Sequence, residues 1–133
     1  MQYMGRDPRG EYLKQNVMTA GPAGLLAMLY DACVKNIRLA GISYEENKDI
    51  GAANNYLLKA QQIISELISC LDMNIGISAD LLRIYEFMLQ ELREANIKKD
   101  MARLAPLIPI LQSMRDTWQQ VDGMQRKNMT VEC

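Results

Sequence analysis

The chain has 133 residues, with fifteen Lys and Arg against sixteen Asp and Glu and no histidine. That fits a single domain and supplies neither the basic footprint of a nucleic-acid or anionic-membrane binder nor an imidazole for catalysis or metal binding. Although 49% of the residues are apolar, no uninterrupted apolar run approaches the roughly 20 residues of a membrane span, and Cys33, Cys70 and Cys133 are scattered without a C-x-x-C pair.

The segment Met1 to Asp7 has no apolar signal-peptide core, so a cytoplasmic location is expected. Residues 1–18 mix Gly5, Pro8, Gly10 and charges with Tyr12, Leu13, Val17 and Met18, and read as an arm. In Thr19-Ala20-Gly21-Pro22 the proline suits a first helical position, where its missing N–H costs nothing. The first helix is predicted from Pro22 to about Glu46. Its seam is Leu26, Tyr30, Cys33, Ile37, Ala40 and Tyr44, with Leu25, Met28, Leu29 and Leu39 beside it. Tyr30 is expected to bury its ring and keep its hydroxyl at the rim, and Asp31 to be solvated or to cap a neighbour.

Asn47-Lys48-Asp49 is a polar joint in which Asp49 offers a cap, and a second helix is predicted to continue to about Leu71. Leu57, Ala60, Ile64, Leu67 and Leu71 form its seam, flanked by Tyr56, Ile63 and Ile68. Cys33 and Cys70 fall within these patterns and are read as small buried hydrophobes. The link Asp72 to Ser78 carries Gly76 for a turn and Ser78 as a cap. A third helix is predicted over Ala79 to Asn96. Leu81, Tyr85, Met88, Leu92 and Ala95 form its seam, and Leu82, Ile84, Phe87 and Leu89 widen it.

After the joint Ile97-Lys98-Lys99-Asp100, Pro106 and Pro109 bear on where the fourth helix can start, because an interior proline costs about 3 kcal/mol. The regular helix is therefore predicted from near Ala105, with residues 101–105 as a separate turn. Leu104, Leu107 or Ile108, Leu111, Met114, Trp118 and Val121 form its seam, with Trp118 as an anchor and Arg115 and Asp116 on the surface. From Gly123 the pattern turns polar and aperiodic, so residues 123–133 are expected to be a disordered tail. The expected fold is all-α: an antiparallel up-down four-helix bundle over residues 1–122, with an N-terminal arm or short helical cap.

A bundle helix needs an apolar stripe of roughly three residues in seven, and several of these segments exceed it. The surplus points to a protein that holds another chain. Tyr56, Ile63, Ile84 and Met88 on the second and third helices are the candidate groove residues, and the adaptable thioether of Met88 suits a surface that repacks around a ligand. Tyr12 and Val17 are added as apolar residues on a loop-like arm.

No catalytic constellation competes with this reading. Glu91 and Glu94 sit one turn apart, as do Glu45 and Asp49, but no Glu-x-x-His accompanies them. Phosphate-cradling glycine motifs are absent as well, so no enzyme activity, cofactor or metal is expected. The alternative is a self-associating bundle with a structural or adaptor role, its spare apolar faces forming a dimer interface.

Taken in order, Tyr12 and Val17, Thr19-Ala20-Gly21-Pro22, Leu29-Tyr30-Asp31, Ala60-Gln61, Leu71-Asp72-Met73, Leu82 through Tyr85-Glu86-Phe87-Met88, the joint Ala95 to Asp100 and the ending Leu111 to Trp118 resemble the FliS family of flagellar export chaperones. The resemblance covers about residues 10–120. Gly21, Ala23 and Gly24 depart from the family's usual serine and charged pair around the first-helix proline, and Pro106 and Pro109 are unusual in the fourth helix. The resemblance implies a small cytoplasmic bundle; a monomer or weak homodimer is expected, and the charge and apolar patterns predict neither nucleic-acid binding nor membrane insertion. It would bind the C-terminal segment of flagellin, prevent premature polymerisation and aid delivery to the type III export apparatus, with an export-gate component as a further partner.

Overall fold

In the computed structural model, residues 22–132 are described, with side chains to Met124. Four helices follow one another: α1 Pro22–Glu45, α2 Ile50–Ser69, α3 Ser78–Lys98 and α4 Leu107–Glu132, with a 3-10 turn at Met101–Leu104 before α4. No strand occurs among the described residues, and none of the helices is long and apolar enough to cross a membrane. The arm, including Tyr12 and Val17, lies outside the described residues.

Heptad spacing put the right residues inside. Tyr30, Cys33, Ile37 and Ala40 of α1, Leu57, Ala60, Ile64 and Leu67 of α2, Tyr85, Met88, Leu92 and Ala95 of α3, and Leu104, Leu107 and Leu111 form one buried cluster. Burying each large aliphatic side chain contributes about 1.5–3 kcal/mol. Leu26, Met114 and Trp118 are only partly buried against it.

The joints differ in detail from the sequence reading. Asp49 does cap α2, its carboxylate accepting from the Ala52 N–H at 3.0 Å. Lys48 just before it takes a left-handed φ of 55°. Because α2 stops at Ser69, Cys70 sits past the last turn and is exposed, correcting its expected burial. Ser78 does not cap α3. It is the helix's first residue, and its buried hydroxyl donates to the Asp72 carbonyl at 2.7 Å, tying the link to the helix start.

Lys99 ends α3 in the left-handed region at φ 51°, its ammonium donating to the Asn96 backbone carbonyl at 2.6 Å and side-chain carbonyl at 2.7 Å. Pro109 is the third residue of α4, where the N–H has no intrahelical acceptor to lose. α4 then runs on through the segment expected as a tail. Gly123 is the one strong helix breaker there, and the residues after it include the good helix formers Met, Gln, Arg and Lys.

α1 packs along both α2 and α4, and α2 also packs along α3. The short links make sequential neighbours antiparallel. Among the described residues, the fourth side of the bundle, between α3 and α4, lacks an equivalent interface, and the 3-10 turn packs on α3 at one end of it.

Candidate partner-binding site

The unpacked side between α3 and α4 can be oriented from its ion pairs. Glu91 of α3 meets the Arg103 guanidinium of the 3-10 turn at 3.3 Å, so this side of α3 faces the approach to α4. Ile84 lies two turns before Glu91 and Phe87 one turn before it, which places both on the same side of the helix. Ile84 is 37% exposed and Phe87 53%. On α4, Arg115 reaches Asp31 of α1 at 3.2 Å and marks the α1-facing side. Ile110 points elsewhere and is 38% exposed. Beneath these residues Met88 and Leu111 are fully buried, and Leu81, Met114 and Trp118 are partly covered. The result is an apolar face with an aliphatic and aromatic rim and a closed floor.

One polar cluster lies under this face. The hydroxyls of Tyr30 on α1 and Tyr85 on α3 are hydrogen-bonded to each other, with the Trp118 side chain of α4 acting on Tyr30 as well. Tyr30 is therefore not a rim residue: it is fully buried and its hydroxyl is satisfied inside. Burial is the main cause that pushes its phenol above the ordinary value, with the bonds to Tyr85 and Trp118 pulling the other way. Tyr85 is pushed up by burial first and then by Tyr30. Burial alone pushes the nearby core thiol of Cys33 up to about 12. These groups are neutral at physiological pH, and nothing about them supplies acid–base chemistry there.

The expected groove residues separate by exposure. Ile84 stands at the rim. Met88, one turn further along α3, is fully buried and belongs to the floor. Tyr56 and Ile63 of α2 are partly buried and packed against the core, and the Lys59 ammonium lies 5.6 Å from the Tyr56 ring centroid. Asp31 is exposed, and its partner Arg115 is less exposed than expected, with 28% of its side chain accessible.

Phe87, read from the sequence as part of the widened stripe but not as a groove residue, and Ile110, which that reading did not name, both stand at the rim. Ile110 could have been found from its spacing, three residues after Leu107 and four before Met114. The α2–α3 link adds Met73, Ile75 and Ile77, all exposed.

A family model described as "Flagellar protein FliS" matches residues 5–125. A Bacillus subtilis (strain 168) protein named "Flagellar secretion chaperone FliS" is 40% identical over 123 residues, covering 92% of each chain. Proteins of the same name from Vibrio cholerae serotype O1 and Salmonella typhimurium are each 30% identical. The first matches over 104 residues, 77% of this chain and 76% of the relative; the second over 108 residues, 79% of each.

Proposed function

The chain belongs to the FliS family of flagellar proteins, and from that premise we propose that it is a cytoplasmic export chaperone that binds the C-terminal segment of flagellin. Holding that segment prevents premature polymerisation and aids delivery to the flagellar type III export apparatus, where an export-gate component is a further partner. The observation that carries the reading is the unpacked α3–α4 side, with Ile84, Phe87 and Ile110 exposed along it. An amphipathic segment laid there as a helix buries its apolar face against these side chains. The gain is about 25 cal/mol per Å² of apolar surface, offset by the entropy of ordering the segment.

Ile84 and Met88 of α3, with Phe87 and Ile110, are the proposed groove residues of the α3–α4 side, and Tyr56 and Ile63 remain proposed contacts on α2. Tyr12 and Val17 are proposed to occupy the groove until flagellin displaces them. The test is titration with a flagellin C-terminal peptide, checked by sedimentation of the chain alone. Binding by a monomer supports the chaperone reading. A stable dimer that ignores the peptide supports the self-associating bundle instead.

A further inference from the structure

We propose that α3 is a hinged wall held shut by the Tyr30–Tyr85 hydroxyl pair, and that swinging it away from α4 uncovers Met88 and Leu111 as the floor of the groove. The identity of the occupant rests on the chaperone reading above; the motion does not.

Four observations carry it. Among the described residues, α3 packs along α2 and against the 3-10 turn but not along α4. Through the core, its tie to α1 includes a directional bond, Tyr85 to Tyr30. In a dry interior such a bond is strong while made and is lost in one step, which gives discrete closed and open arrangements.

Both ends of α3 are held in place, so they set the points about which it turns. The link before it is exposed from Asp72 to Ile77, with open space around Gly76, and is fastened by Ser78 on the Asp72 carbonyl. The far end is fixed by Arg103 on Glu91 and by the left-handed Lys99. Finally, an apolar floor is already formed. Met88 and Leu111 are fully buried in the same core cluster as Tyr85 and Leu92, so opening the wall extends the exposed apolar face inward. Closure therefore hides the deepest apolar residues while the chain is empty.

Tyr85→Phe tests this with little change of shape, because it removes only the hydroxyl that meets Tyr30. Amide hydrogen exchange by mass spectrometry should show Leu81 to Met88 exchanging roughly five- to tenfold faster in the variant, with Leu57 to Leu67 of α2 unchanged. Unchanged exchange, or equal acceleration in every helix, overturns the hinge. In peptide titrations followed by emission of the single Trp118, the variant should bind severalfold tighter because less work is needed to open the wall; equal or weaker affinity overturns the uncovered floor. If the unmodified chain binds no flagellin peptide, the chaperone reading fails while the exchange result still decides the hinge. Tyr30→Phe should reproduce the exchange pattern, and failure of both variants to fold would show a purely structural pair.

Discussion

The hydroxyl of Tyr30 on α1 is bonded to that of Tyr85 on α3, deep in an otherwise apolar core and beside the one flank of the bundle where α3 and α4 do not pack together. A polar contact at that place matters more than its single bond implies. Leaving one hydroxyl there without a partner costs the desolvation of the group, about 1–3 kcal/mol.

Tyr85→Phe and Tyr30→Phe should therefore each lower stability by about 1 to 2 kcal/mol, and the double variant by less than the sum. Urea unfolding of the four proteins gives the coupling directly. Strictly additive losses would show that the two hydroxyls do not act as a pair.

Alkaline pH should destabilise the fold. Burial pushes the Cys33 thiol from its ordinary value of 9 up to about 12, so the folded chain holds its proton where the unfolded chain has lost it. This contribution is fully present below about pH 9 and is lost as pH rises towards 12, at a slope approaching about 1.4 kcal/mol per pH unit. Tyr30 and Tyr85, both raised, act in the same direction above their ordinary value of 10. Denaturant midpoints measured from pH 7 to 11 should fall, and less steeply for Cys33→Ala. A midpoint that does not move would contradict the burial of these groups.

Rim and floor should respond differently to charge. Ile84→Asp and Phe87→Asp change exposed residues and should leave helicity intact while weakening flagellin-peptide binding at least tenfold. Met88→Asp places a carboxylate at a fully buried position and should lower stability by several kcal/mol, visible as a collapsed melting transition. A folded, stable Met88→Asp protein would mean that Met88 is not floor.

Deleting residues 1–18 should change flagellin affinity, with tighter binding expected if Tyr12 and Val17 occupy the groove in the empty chain. Calorimetry on the truncated and full chains decides it. An unchanged dissociation constant removes the arm from the account.

Much of the bundle was legible because its core obeys one rule. Leu57, Ala60, Ile64 and Leu67 repeat at alternating steps of three and four, and all are buried. The same rule cannot say which side of a helix lacks a neighbour. Met88 lies on the seam and Ile84 beside it, yet only the arrangement of four helices makes the first a floor and the second a rim. Ser78 misled because a serine before an apolar run reads as a cap, whereas here its hydroxyl is used by the preceding link. Cys70 misled because helical periodicity continues one residue past the point where α2 stops. The Tyr30–Tyr85 bond joins residues 55 apart in sequence, a pairing that no local pattern encodes.

The central claim is that the α3–α4 side holds a flagellin segment, and its most direct test is calorimetric titration of the full chain with a flagellin C-terminal peptide, paired with circular dichroism and repeated with Ile84→Asp and Phe87→Asp. One-to-one binding with a negative heat-capacity change and a gain of helicity is expected, both lost in the two variants. Absence of binding at micromolar concentration, or equal binding by the variants, would contradict it.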